Sequence, residues 1–289
     1  MNTGIKADLV LQNGSVYTVD KQCHRAKAVA VRDKVIAYVG DTEGVQEFIG
    51  PNTEVIDLAG KMLLPGFIDS HAHASATINE DDSVMLYHLD SKEAYVSAVK
   101  SFAEIHPEIE VIYGNGWNNE AFPPQGPLKE DLDAVVTDRP VSLMSNDGHS
   151  IWVKYLGRER AEKEYPLKSF QDAGVTLACA SDYPVQVPSP PLLAIQLGIT
   201  RCIPGETDPN EILGPDERIS LEDMIAGYTI NGAYANFVEN ETGSIEVGKK
   251  ADMVVLDRNL FDIPETEIAD TNVLMTLFEG KANYRDAAL

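Results

Sequence analysis

Between residues 8 and 58 the apolar positions fall in short β-branched runs separated by polar turns, the pattern of strands and not of helices. The run "ADLVLQNGSVYTV" is split by Asn13-Gly14, a hairpin signal. "AKAVAVRDKVIAYVG" repeats the device around Arg32-Asp33-Lys34, with Val29, Val31, Val35, Ile36 and Val39 as its apolar positions. "NTEVIDLAGKMLLPG" adds a further strand.

The period changes after Gly66. In "DSKEAYVSAVKSFAEIH", Tyr95, Val99 and Phe102 stand at helical spacing, and Asp90 with Glu93 fits a capping box. "EVIYGNGW" then reads as a strand, "LKEDLDAVVTD" as a helix and "RPVSLMSNDGHS" as a strand. "ERAEKEYPLKSFQDAG" reads as helical with a break at Pro166, ahead of "VTLACASDYPV", a buried-type strand ending at Asp182. A further helix, "SLEDMIAGYTINGAYANF", starts from a cap at Ser220. Such alternation is the pattern of parallel β/α units. Residues 243–289 return to β. The predicted organisation is therefore a small β domain made from residues 1–62 and 243–289, with a β/α body of residues 63–242 inserted between its halves.

Composition narrows the function. The chain has 289 residues, 44% apolar and 24% charged, with a formal charge of −23 from 46 acids and 23 bases. Phosphate backbones and anionic lipid are repelled by such a surface, so nucleic acid and membranes are poor partners and a small-molecule substrate is expected. Three cysteines, Cys23, Cys179 and Cys202, lack metal-finger or CxxC spacing, as expected of thiols in a reducing, cytoplasmic compartment. The first residues show no basic stretch followed by an apolar one, so no signal peptide is expected.

Candidate chemistry lies where strands end. "GFIDSHAHAS" places His71 and His73, two of six histidines, one residue apart. Side chains at i and i+2 of a strand share a face, so the pair could hold one ion; two surface or capping histidines are the plainer alternative. Asp69 upstream and the small Ala72 and Ala74 leave room for that ion, and imidazole suits a divalent metal of the zinc type. Asp182 also ends an apolar run, before Pro184. If both strands belong to one parallel barrel, their C-terminal ends converge on one face. There a carboxylate could ligate the metal and take a proton from bound water, whose pKa a metal lowers to about 7; a turn or helix cap is the other reading. "SNDGHSIWV" offers Asp147 and His149, as a ligand, a substrate contact or a turn. In "GNGWNNE", Trp117 and Asn118 could line a pocket or pack in a core. No glycine-rich phosphate loop is present, since "GNG" lacks the spacing.

Two segments together, "VIDLAGKMLLPGFIDSHAH" and "TGSIEVGKKADMVVLD", resemble the opening and the C-terminal return of metal-dependent amidohydrolases. "YGNGWN", "SNDGHSIWV", "YPLKSFQDAGVTLACASDYPV" and "AGYTINGAYANF" resemble the amidohydrolase family 3 group, the YtcJ-like and N-substituted formamide deformylase-like proteins. The resemblance runs from about Ala7 to about Tyr284. It implies an α/β fold, a TIM-like metal-dependent hydrolase barrel with a β-sandwich built from both termini, and hydrolysis of a C–N bond other than a peptide bond. In that group His71 and His73 match the strand-one metal pair. Asp182 matches the strand-eight aspartate that ligates metal and handles the proton, and His149 lies near the active site.

The chain also departs from the group. Further ligands from middle strands are missing, for no histidine stands between His149 and Asp182. Residues 63–242 are short of the ~250 of a typical barrel. They show about four of eight strands, ending near His71, Trp117, Asn146 and Asp182, as though a central block were absent near Tyr155–Arg158. The expectation is a metal-dependent amidohydrolase on an incomplete barrel, whose open edges argue for association into a homo-oligomer. A catalytically impaired remnant or scaffold, and a heterocycle deaminase, are the alternatives.

Overall fold

The computed structural model describes residues 6–21, 25–72, 83–123, 126–145, 157–183, 190–206 and 212–289. It divides into two compact units, residues 1–73 with 165–289 and residues 74–164, each described here by itself. Residues 165–242, assigned by the sequence pattern to the inserted body, fall in the same unit as the termini.

In the first unit both termini build two sheets. One has β1 (Leu9–Gln12), β4 (Ala28–Arg32), β5 (Val35–Gly40) and β6 (Glu54–Asp57) in the order β5-β4-β1-β6. The other runs β13-β12-β11-β7-β2-β3, with β2 (Ser15–Tyr17), β3 (Arg25–Ala26), β7 (Met62–Pro65), β11 (Met253–Leu256), β12 (Val273–Phe278) and β13 (Lys281–Arg285). Strand alternation sorts their side chains. Leu63, Met253 and Val255 join Leu9, Leu11, Val29, Val31 and Ile56 of the first sheet in one core. Their neighbours Met62, Leu64, Val254 and Leu256 point the other way, into a second core with helical residues.

The expected hairpin at Asn13-Gly14 does not form. β1 pairs with β4 and β6, whereas β2 pairs with β3 and β7. Asn13 takes a left-handed conformation (φ 56°) and the turn carries the chain from one sheet to the other, because both runs are apolar and each is buried in its own sheet. The second hairpin does form. Asp33 and Lys34, both at positive φ, make the two-residue turn between Arg32 and Val35, as the twist of paired strands favours.

Three helices cover the second core. α4 (Pro191–Thr200), which the sequence pattern did not single out, is apolar all round and buries Leu192, Ile195 and Ile199. Such a helix belongs inside a protein. α5 (Leu221–Gly227) is capped by Ser220 as expected, its side chain accepting from the Asp223 amide at 3.1 Å. The single helix predicted from Ser220 is broken at Thr229 (φ −133°, ψ −97°) and resumes as α6 (Ile230–Ala235). Upstream, α3 (Leu167–Asp172) starts after Pro166, the predicted break.

The second unit holds a three-stranded parallel sheet, β10-β9-β8, from β8 (Ser83–Met85), β9 (Ile112–Trp117) and β10 (Val141–Ser145). α1 (Lys92–Ile105) covers one face through Tyr95 and Val99, and α2 (Lys129–Asp133) follows β9. Helix α1 starts at Ser91 with no side-chain capping bond, so the Asp90–Glu93 capping box is not made. Of the four barrel strands expected, those near Trp117 and Asn146 are present as β9 and β10. The runs leading to His71 and Asp182 are not strands: β7 ends at Pro65, and residues 175–182 have no ladder. A barrel strand needs a neighbour on both sides, and these runs find only isolated backbone bonds. Among the described residues no helix is long and apolar enough to cross a membrane.

Candidate active site

Residues 66–72 leave the sheet as an extended chain whose alternate amides are each satisfied elsewhere in the first unit. The Gly66 amide donates to Asp252 O at 2.9 Å, Ile68 to Tyr228 O at 2.7 Å and Ser70 to Cys179 O at 3.2 Å. The break after α5 supplies two of the carbonyls used here. Gly227 O accepts from the Cys179 amide at 2.9 Å, and Tyr228 O from Ile68. A Cβ on Gly227 would stand 2.5 Å from Cys179 Sγ, so any larger residue there would require the Cys179 side chain to move. The two runs that the sequence pattern reads as barrel strands thus lie side by side without forming a ladder.

At their ends the Asp182 amide donates to His71 O at 3.0 Å. Asp182 is held at φ 54°, a conformation few side chains other than Asn and Asp adopt readily. Its Oδ1, shielded from solvent, lies 3.2 Å from His71 Nε2. Their side chains are otherwise 64% and 49% exposed, so the contact itself contributes little to stability.

Asp69, within the first of these runs, ties it to the second. Its Oδ1 accepts from the His71 amide at 3.2 Å and the Ser181 amide at 3.0 Å, and its Oδ2 accepts from Ser181 Oγ. Burial opposes ionisation of Asp69, but the bonds from Ser181 and His71 outweigh it and hold the carboxyl below its ordinary range. Burial pushes the Cys179 thiol up to about 11, so it stays protonated at neutral pH. The Tyr228 phenol, which donates to Ala180 O at 3.3 Å, is also raised, by burial first and then by Cys179 and Asp69.

The separation of the donor pair is that of a direct hydrogen-bonded contact, and it is also one that two ligands of a zinc-class ion have. Two ligands of one tetrahedral zinc, at bonds of about 2.0–2.1 Å, stand about 3.3 Å apart. His71 Nε2 and Asp182 Oδ1 are separated by 3.2 Å without any rearrangement. Among the described residues no group of three or more His, Cys, Asp or Glu side chains could hold a metal ion. His73, Asp147 and His149 lie outside the described residues.

Trp117 and Asn118 belong to the second unit. The Trp117 indole donates to Leu143 O at 3.2 Å and meets Phe122 edge-on at 5.5 Å, while the Asn118 amide donates to the Tyr95 hydroxyl at 3.1 Å. Trp117, Tyr95 and Phe122 line a cavity of about 200 Å³ behind the sheet. Ser181 was not among the predicted site residues; its one signal was adjacency to Asp182.

Comparison with known proteins gives first the class of fold. A zinc-bound adenosine deaminase from Xanthomonas campestris superposes with a TM-score of 0.55, covering 99% of this chain and 94% of that one at 14% identity. An uncharacterised metal-dependent hydrolase from Pyrococcus horikoshii also gives 0.55, covering 89% and 99% at 13% identity. The fold is thus the mixed α/β fold of metal-dependent hydrolases. The chain belongs to the amidohydrolase family, whose sequence profile matches residues 54–164 and 153–284. It is 36% identical to the putative amidohydrolase YtcJ of Bacillus subtilis over 154 residues, 53% of this chain and 29% of that protein. It is 32% identical to N-substituted formamide deformylase of Arthrobacter pascens over 155 residues, 52% of this chain and 28% of that enzyme. These matches span less than a third of either relative's length.

Proposed function

We propose that this chain is a metal-dependent amidohydrolase that hydrolyses a non-peptide C–N bond of a small molecule. One observation carries the reading: His71 Nε2 and Asp182 Oδ1 come from segments far apart in sequence and stand at the separation of two ligands of one ion. His71, His73 and Asp182 would hold a zinc-class ion. Such an ion, when bound, supplies water acidified to near neutral pH and polarises the scissile carbonyl. The protein's own part is proton handling and orientation. The Asp182 carboxylate accepts the proton of the attacking water as the new C–O bond forms. It then returns that proton to the departing nitrogen as the C–N bond breaks. His71 would present Nε2 to the ion, and the surrounding backbone bonds fix its approach.

Zinc content of the purified protein tests this. The expected result is near-stoichiometric metal in the wild type and loss of most of it in His71→Ala, with parallel loss of hydrolysis. Full metal and turnover in the variant would overturn the reading. A heterocycle deaminase is the second reading, supported by the likeness to the zinc-bound adenosine deaminase. Its product is ammonia, whereas amide hydrolysis gives an amine and an acid. The impaired remnant is supported by the lack of any histidine between His149 and Asp182. It would bring down only traces of easily washed metal.

The rest of the reading follows the sequence pattern. It comprises a β-sandwich of residues 1–62 and 243–289, a body of residues 63–242 on an incomplete TIM-like barrel, a cytoplasmic location and association into a homo-oligomer. The shared core of the two terminal sheets supports the first of these, and the two separate profile matches support the second.

A further inference from the structure

The Asp69 carboxylate, two residues before His71 in the same segment, joins that segment to the one that carries Asp182. Its Oδ1 receives the amides of His71 and Ser181, at 3.2 and 3.0 Å, and its Oδ2 receives the Ser181 hydroxyl. Ser181 Oγ in turn accepts from the Tyr183 amide at 3.0 Å, so the residues on both sides of Asp182 are tied to Asp69. Direct backbone bonds between the two runs are few: Ser70 to Cys179 O at 3.2 Å and Asp182 to His71 O at 3.0 Å among the described residues. There is no ladder to set their register, and Asp182 itself sits at positive φ, in a turn rather than a regular element. The spacing of the two donors therefore depends on side-chain bonds to a degree that a paired strand would not require.

The geometry points to Asp69 and Ser181 as positioning residues that clamp the His71 and Asp182 segments together and so fix the distance between the two metal-donor atoms. This rests on the metal reading of His71 and Asp182 given above. Neither Asp69 nor Ser181 would be a ligand or a reacting group; each would act through the segments it joins. Asp69 directs both of its carboxylate oxygens at the clamp, and Ser181 acts through the amide and hydroxyl that precede Asp182. A carboxylate receiving three donors is also a weaker ligand for an ion, because most of its roughly four lone-pair sites are taken. Hydrogen bonds behind metal ligands commonly govern affinity by 10–100-fold.

The test is the zinc dissociation constant of the full chain, measured by competition with a chromophoric chelator, alongside a urea unfolding curve of each metal-free protein. Ser181→Ala and Asp69→Asn should weaken zinc binding by roughly 10–100-fold. Ser181→Thr, which keeps the hydroxyl, should bind within about threefold of wild type. A purely structural tie would instead shift the unfolding midpoint and leave the zinc constant of the folded protein unchanged. Wild-type zinc affinity in Ser181→Ala and Asp69→Asn, with His71→Ala still abolishing binding, would overturn the clamp and leave the metal reading standing. Failure of the wild type itself to take up zinc would instead remove the metal reading, and the clamp with it. Should Asp69→Asn not fold, Ser181→Ala alone decides, since it removes a single partly buried hydroxyl.

Discussion

The two terminal sheets and the parallel sheet of the second unit are built from similar apolar runs, yet they end in different environments. Leu63 in β7 and Val255 in β11 are fully buried, because a second sheet lies on one face and helices on the other. In the second unit, among the described residues, one face of the sheet is packed and residues of the other are exposed. Ile112 of β9 is buried beneath α1, whereas its neighbour Tyr113 is 58% exposed and Met144 of β10 is 67% exposed. Parallel sheets normally have both faces covered. A strand's apolar pattern thus declares that a face needs a partner, and the rest of the fold decides whether the partner arrives.

The sharpest way to test this contrast is to delete side chains on each side of it. Leu63→Ala should cost about 2–5 kcal/mol of stability, since the removed atoms leave a cavity in a closed core. Met144→Ala should stay within about 0.5 kcal/mol. Urea unfolding of each variant measures both. Equal costs would mean that the exposed face of β10 is covered in solution, as self-association would do.

A smaller difference separates the helix starts of the two units. Ser220 bonds the Asp223 amide and Ser91 makes no side-chain capping bond. Ser220→Ala should destabilise by about 1 kcal/mol and Ser91→Ala by only a few tenths, read from the same unfolding curves.

The smallest effect concerns Cys179. Its thiol is raised from 9.0 to about 11 by burial. Above pH 9 the unfolded chain releases this proton while the folded chain keeps it. The stability that the buried neutral thiol contributes is therefore complete below pH 9 and falls as pH rises from about 9 to 11. Alkylation of Cys179 in the native protein should accordingly be slow at pH 8, rising only towards pH 11 and on unfolding. Rapid modification at pH 8 would show that the segment 175–182 is open.

Much of the fold was legible in the residues. The β character of both termini, the turn at Asp33-Lys34, the Ser220 cap and the break at Pro166 follow from local chemistry, and local chemistry operates over a few residues. The amidohydrolase family was legible too, since its motifs lie in the most patterned segments. The fate of Asn13-Gly14 was not. The same dipeptide closes a hairpin or passes between sheets according to which strands lie beside it, and those partners, β4, β6 and β7, are remote in sequence.

For the candidate site the division is similar. The residue types, an imidazole pair near residue 71 and a carboxylate at 182, could be read from the chain, because their chemistry is intrinsic to the side chains. Their approach to 3.2 Å is a tertiary fact, as are the Asp69–Ser181 bonds and the split between α5 and α6 that frees Gly227 O and Tyr228 O. Each depends on backbone groups over a hundred residues apart, or on a helix giving up its own bonds to satisfy another segment. Sequence periodicity records which face of an element is apolar; it does not record which distant element supplies the matching hydrogen bond.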